Sequence, residues 1–520
     1  MVKKTFIIKL VLLLAAFQML AQTTTPVDLV KLSEITLAES PIVKQNILTI
    51  TSAEGGFLVQ KSAFDYQMTS GLSWNRNELN LFEADPRNNF VSNDLQTRGT
   101  GASLGLQKAF RSSLIAAINV DYTRATDNFI LNRFNQNVGE FVDDHTVSTT
   151  FSLTQPLLRG RGRTIATALE EASKLNVESA DNNADFLNSF ELFQMSTAYW
   201  QYVSSYKSLQ IFQENEARVR RVLEITEDLV KADKRPAGDL AQVKADLANQ
   251  ERQTKVAEQL LYAAKLNLGR VIGLDEETSK LLGNPLDEFP TILESGYATG
   301  LDQAKFLQIA QNNRADIESA KQALQAIELQ LKFTENSKRP QLDLTGFVNY
   351  GGMNMGNGLD RALATFSRNE GRNVGYGLRL TFSFPLNNNL AKGNYVQNEI
   401  AFNNQEITTT NLQRNVDINV SIALNNLENS VQVLEKAKES LDFNKQVFGN
   451  EQEKFKNGLT ILLNLIQFQE RLTFAELEYL RAQQEFANAI VNLRFETGTL
   501  LVNKNQNSSI NKDLFFTIPN

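Results

Sequence analysis

No cysteine occurs among the 520 residues, and histidine occurs once, at His145. The missing thiols exclude disulfide staples, a cysteine nucleophile, a cysteine-based zinc site and a lipid attached through an N-terminal cysteine. His145, beside Asp143 and Asp144 in what reads as a loop, has no nucleophile or zinc-ligand set to join, so the sequence points to no enzyme, no metal site and no cofactor. Long apolar runs are missing too. After the N-terminal segment nothing approaches the roughly 18 uninterrupted apolar residues of a membrane helix, so any bilayer span has to be built from strands. Nor is there an excess of basic charge: 52 Lys and Arg stand against 59 Asp and Glu, a formal charge of −7, which argues against a nucleic-acid partner.

What is present begins with a cleavable export signal, expected at residues 1–21. Lys3 and Lys4 precede an apolar stretch centred on Leu10 to Phe17, and Met19-Leu20-Ala21 stands before Gln22. Cleavage would remove Lys3, Lys4 and Lys9 and move the charge from −7 to about −10.

Heptads carry most of the remaining information. Leu465, Phe468, Leu472, Ala475, Tyr479, Ala482, Phe486, Ala489 and Leu493 alternate spacings of three and four, the 3.5-residue period of helices that pack side by side with a left-handed supercoil. Subtracting 225 gives Leu240, Val243, Leu247, Gln250, Thr254, Ala257, Leu261, Ala264 and Leu268, of which only Gln250 and Thr254 are polar. The element occurs twice.

Taken in order, residues 28–62 read as a helix, weakened by Gly55 and Gly56. Period-two alternation follows at 68–74, 100–107, 118–124 and 147–154, with Val147, Thr149, Phe151 and Leu153 on one face and small polar residues on the other, a pattern that suits a barrel wall as well as a soluble sheet. Pro156 closes this run. A helical stretch without proline extends from about Gly162 to Ala232, on the order of 105 Å; it reverses at Asp233-Lys-Arg-Pro-Ala-Gly-Asp239 and returns to Gly273. A loop-rich segment with Pro285 and Pro290 leads to a helix at 301–337, stopped by Pro340. Strands through Leu342–Tyr350 and Val374–Phe384 enclose a Gly/Asn-rich loop holding Met353 and Met355. A second long helix, about Lys392 to Lys456, turns at Asn457-Gly458 into the heptad element.

Asp233 to Gly273 and Gly458 to Gly498 both span 40 residues, whereas Tyr66 to Pro156 spans 90 and Pro340 to Pro385 only 45. The first half therefore carries an extra hairpin, roughly 98–125, or longer surface loops. The expected organisation is a signal at 1–21 and a first repeat at 22–275, with strands at about 66–155 and a helical hairpin at about 160–273. A connecting segment at 276–300, a second repeat at 301–500 (strands about 341–385, hairpin about 391–498) and a tail at 501–520 complete it.

Ala63-Phe-Asp-Tyr-Gln67, Leu153-Thr-Gln-Pro-Leu-Leu-Arg-Gly160, Arg314-Ala-Asp-Ile317, Lys338-Arg-Pro-Gln-Leu342 and Gly458-Leu-Thr-Ile-Leu-Leu-Asn464, in this order around a duplicated long hairpin, resemble the TolC-like outer-membrane efflux ducts. The resemblance implies a mainly α fold with membrane β. It also implies a homotrimer in contact with outer-membrane lipid, whose strands form one outer-membrane β-barrel continuous with a long periplasmic α-helical barrel. It implies an exit duct for small toxic compounds, working with a periplasmic adaptor protein and an inner-membrane transporter. The family usually has four strands per protomer, where six are readable here. Two other readings share parts of the pattern: a duct for type I protein secretion, and an exported coiled-coil scaffold or adhesin.

In such ducts, acidic residues six and nine positions after the turn glycine ring the constriction at the periplasmic tip. Carried over, these are Asn464 and Gln467 after Gly458, and Asp239 and Gln242 after Asp233, which takes the glycine's place. A ring of Asp239 would attract cations; alternatively Asp239 only favours a helix N-terminus. Lys234 and Arg235 either bridge to nearby carboxylates or are solvated, and Phe455 is either a gate residue or packing. Asp233, Lys234, Arg235, Pro236 and Gly238, with Asn457, Gly458, Leu459 and Thr460, form the expected adaptor-docking turns. Met353 and Met355 suit a flexible surface loop better than a soft-metal contact. Trp74, Tyr122, Tyr350 and Tyr376 suit interfacial positions of a barrel, and Tyr199, Trp200, Tyr202 and Tyr206 suit helix packing.

Overall fold

A computed structural model describes residues 25–89, 91, 94–129, 142–298, 300–367, 373–501 and 510–519. The expected signal at 1–21, residues 22–24 of the first repeat and part of the tail, 502–509 and 520, lie outside the described residues. In chain order, β1 (Thr25–Val27) leads to α1 (Leu29–Glu39) and α2 (Pro41–Lys61), followed by β2 (Tyr66–Asn80), β3 (Asp94–Ala109), β4 (Ile115–Asp127) and β5 (Val142–Pro156). A single turn, α3 (Arg163–Ala166), precedes the 64-residue α4 (Ala168–Lys231), and α5 (Ala237–Ile272) returns. Then come α6 (Glu276–Lys280), β6 (Leu282–Pro285), α7 (Gln303–Asn313), α8 (Ala315–Ser337), β7 (Gln341–Met355), α9 (Leu359–Ser367) and β8 (Asn373–Ser383). The 68-residue α10 (Asn389–Lys456), α11 (Leu462–Glu496) and α12 (Asp513–Phe516) close the chain.

Several boundaries differ from the sequence expectation, each for a local reason. The helix expected at 28–62 is two helices, because Ser40 adopts an extended ψ of 129° ahead of Pro41. The helix expected at 301–337 breaks at Arg314, also extended at ψ 115°. The connecting segment holds α6 and β6, and β6 pairs in parallel with β1. His145 is on β5 and not in a loop, and Met353 and Met355 are on β7, opposite Thr146 and Asp144.

The chain divides into two compact units. One comprises residues 52–177 and 322–406 and contains a sheet of six antiparallel strands in the order β2-β3-β4-β5-β7-β8. The extra stretch of the first half is a hairpin: β3 and β4 join through Phe110–Leu114, where Phe110 N–H donates to the Leu114 carbonyl at 2.8 Å and Ser113 takes a φ of 71°. Cross-strand register puts Met68, Leu106, Ile118, Phe151, Val348 and Tyr376 in one row on one face. Leu72, Trp74, Leu104, Leu153, Leu378, Leu380 and Phe382 share that face, and all of these residues are exposed. The opposite face presents Gln67, Thr69, Ser73, Asn119, Ser148, Thr150, Thr154 and Asn349. Among the described residues β2 and β8 are the sheet's two unpaired edges.

The other unit takes in the described residues up to Thr51, Glu178–Lys321 and those from Ile407 onward. Its first core gathers around Tyr199 and Trp200, both fully buried, with Trp200 against Phe289 and Phe516 at ring distances of 5.3 and 5.4 Å. The two tyrosines bond their buried polar ends, the Tyr199 hydroxyl donating to Asp287 Oδ2 at 3.0 Å and the Tyr202 hydroxyl to the Gly283 carbonyl at 2.9 Å, whereas the Trp200 indole N–H meets no acceptor among the described residues. Burial also pushes the Tyr202 phenol up to about 12. Heptad residues of α11 line two further cores, one beside α10 and the other shared with Val243 and Leu247 of α5, while Leu261, Ala264 and Leu268 of α5 join the first core. The two polar exceptions in the earlier heptad are buried and paired. Gln250 accepts from Asn215 Nδ2 at 2.8 Å, Asn215 accepts from Gln469 Nε2 at 2.9 Å, and the Thr254 hydroxyl donates to the Gln250 carbonyl at 3.1 Å. Such an amide chain is satisfied in only one axial alignment of the three helices, which makes it a register pin.

Glu191, buried on α4, meets the Ser40 hydroxyl at 3.2 Å, and burial holds its carboxyl above the usual range. A raised carboxyl favours the neutral form in the fold, so its charged form opposes folding above the ordinary glutamate range. Glu191→Gln is therefore expected to raise the melting temperature at neutral pH. The gain should shrink as pH falls through the Glu191 value and vanish in stronger acid; a gain that is independent of pH would show that ionisation is not its source.

Candidate functional site

The candidate site is the pair of turns at which each long helix reverses. Both are built by the same backbone device. At the end of α4, Asp233 takes a φ of 52°, its N–H donating to the Val230 carbonyl at 3.1 Å and that of Lys234 to the Leu229 carbonyl at 2.9 Å. At the end of α10, Gly458 takes a φ of 72°, its N–H donating to the Phe455 carbonyl at 3.0 Å and that of Leu459 to the Lys454 carbonyl at 2.8 Å. This is the left-handed helix cap usually given to glycine. Asp233 thus holds the glycine's conformation in the first turn, at a strain of roughly 1 kcal/mol.

Arg235 joins the two turns. Its guanidinium donates to the Thr460 carbonyl, lies 5.1 Å from the Phe455 ring centre and comes within 4.0 Å of Asp239 Oδ2. The charge of Asp239 is therefore partly offset by its own chain. Phe455 is buried among Val243, Leu462 and Leu465 and serves as packing. On the second turn the Thr460 hydroxyl donates to Glu451 and accepts from Asn464 Nδ2 at 3.2 Å, while Lys454 Nζ approaches Glu451 Oε2 to 3.2 Å. The bond from Thr460, with help from Lys454, holds the Glu451 carboxyl below the usual range.

The structure thus brings Arg235, Asp239, Phe455, Thr460 and Asn464 together. Gln242 and Gln467 are exposed and stand apart from this cluster, as do Asp233, Lys234, Pro236, Gly238, Asn457, Gly458 and Leu459 on the turns themselves. Glu451 went unremarked in the sequence, although the Glu451-to-Lys454 spacing just ahead of a turn glycine is a visible pairing signal.

Residues 306–499 match the family model described as outer membrane efflux protein. Among solved structures, CusC aligns over 92% of this chain and 95% of its own at 13% identity and a TM-score of 0.64. The outer-membrane channel OprN aligns over 91% and 90% at 14% identity, with a TM-score of 0.63. This is the outer membrane efflux protein fold. VceC from Vibrio cholerae shares it as well, over 90% of this chain and 96% of its own at 13% identity and a TM-score of 0.63. No curated protein sequence matches the chain. Within the efflux-protein fold, the matched span covers α7 through α11 and includes the turn at Gly458, β7 and β8. Among the described residues no helix is long and apolar enough to cross a membrane.

Proposed function

We propose that the chain is the outer-membrane exit duct of a three-part export system, passing small toxic compounds along a water-filled lumen and catalysing no reaction. One observation carries this reading: the six-stranded sheet has large apolar side chains exposed on one face and mainly polar ones on the other. A face of that kind is stable against lipid, where the open edges of β2 and β8 must also be paired. Joining β8 of one copy to β2 of the next pairs both and keeps the antiparallel alternation, because six strands per copy is an even number. Three copies would close eighteen strands, a size that leaves an aqueous channel. The family match at 306–499 supports outer-membrane placement. An inner-membrane transporter would supply energy through a periplasmic adaptor docked on the exposed turns around Asp233 and Gly458.

The full-length protein, reconstituted in a planar bilayer, is expected to give discrete conductance steps. Asp239→Asn should lower cation preference by roughly two-fold, through loss of a carboxylate ring at the tip. Absence of steps rejects the duct; steps with unchanged selectivity reject the Asp239 ring alone.

A further inference from the structure

α9 lies on the apolar face of the sheet, over β5 and β7. Gly352 makes this approach possible. It stands opposite Val147 on that face, and a Cβ there would fall 2.7 Å from the Thr365 carbonyl oxygen of α9. A cluster beneath the helix fixes its start. The Gly356 carbonyl can only accept, so His145 Nε2 donates to it at 3.1 Å, while Nδ1 hydrogen-bonds the Tyr122 hydroxyl at 2.8 Å. The Tyr122 ring in turn stacks on Phe366 of α9 at 6.1 Å. Asp143 pairs with Arg124 at 2.6 Å, and its backbone N–H donates to Asn357 at 3.0 Å.

The helix is inverted relative to one lying on a water-soluble protein. Its small residues face the sheet: Ala364 and Thr365 are 9% and 5% exposed. Its large apolar residues Leu359 and Leu363, at i and i+4, face away and are 83% and 70% exposed; Phe366, at i+7, flanks this stripe, its ring stacked on Tyr122 on one side and 54% exposed. In water the opposite orientation is favoured, since each such side chain gains roughly 1.5–3 kcal/mol on burial. The stripe also continues the apolar band of the strands. On β5 the same face runs from Leu153 and Phe151 through Val147 to the polar His145 and Asp143, so α9 sits where the band gives way to charge.

We propose that α9 is a lipid-binding helix that anchors the rim of the sheet at the boundary between acyl chains and headgroups. Its apolar stripe enters the membrane, as amphipathic helices do to a depth of about 5–10 Å. The inference rests on the reading of the sheet as a membrane wall.

The test uses the full-length assembled protein in vesicles of phosphatidylcholine brominated near the headgroup end of the acyl chain. The chain's two tryptophans are Trp200, fully buried, and Trp74, exposed on the apolar face. Trp74 reports on the sheet, and Leu363→Trp in a Trp74→Phe background reports on α9. We expect roughly half the emission to be lost from each reporter, and less quenching of the α9 reporter when the bromines sit near the chain terminus, as suits a helix at interfacial depth. Quenching of Trp74 without quenching of the α9 reporter overturns the proposal and means that water or a second copy covers the helix. Failure to quench either reporter overturns the membrane-wall reading beneath it.

Discussion

Replacing Arg314 with leucine is expected to lower folding stability by about 3–5 kcal/mol, the range for removing one partner of a buried ion pair. Arg314 is 6% exposed in the break between α7 and α8. Its guanidinium is forked onto Asp316 at 3.0 and 2.8 Å and reaches Glu496, at the end of α11, at 2.7 Å. Phe186 and Phe495 lie 5.2 and 5.6 Å from it. Leucine would leave two carboxylates in the interior with no cation. Arg314→Lys should recover only part of the loss, because an ammonium cannot reproduce the fork. Removing all three charges together should cost less than Arg314→Leu alone, since no charge is then stranded. Urea unfolding followed by helical circular dichroism measures each variant. A loss for Arg314→Leu no larger than that for the exposed control Arg220→Leu would mean that the network is solvated in the working protein.

The second large effect is expected on β8. Leu378→Arg with Leu380→Arg should abolish stable insertion in the outer membrane, since an arginine near the midplane of a lipid-facing barrel wall costs roughly 2–4 kcal/mol and the pair about twice that. On a water-exposed surface the same positions, 79% and 62% exposed, would tolerate the change within roughly 0.5 kcal/mol. The strand contains its own control: Arg379 lies between them on the opposite face, its guanidinium 5.6 Å from the Phe347 ring centre. Membrane fractionation and extraction resistance provide the readout. Wild-type levels of assembled protein in the double variant would refute a lipid-facing β8.

Strands and turns were legible in the sequence because each obeys a local rule. The alternating runs at 68–74, 100–107, 118–124 and 147–154 lie inside β2 to β5, which extend further at both ends. The turn at Gly458 is readable from glycine, and the 225-residue offset leads to Asp233. Long-range partners had no such signal. Arg235 meets Thr460 across 225 residues and Arg314 meets Glu496 across 182, so neither pairing follows from periodicity. His145, directly after Asp143 and Asp144, reads as loop until β4 supplies Arg124 for Asp143 and Tyr122 for His145. α9 was missed because nine residues between two strands look like a connection, and its apolar stripe becomes informative only when the side facing the sheet is known.

The even strand count also limits how such a sheet can change over evolutionary time. A wall closed by identical copies must return to its starting direction at every subunit boundary, so inserting or deleting a single strand would set β8 of one copy parallel to β2 of the next. In a wall closed in that way, growth would proceed by whole hairpins. The β3–β4 hairpin, which has no counterpart among the described residues of the second half, would be the smallest enlargement that a wall closed in this way could accept without losing closure.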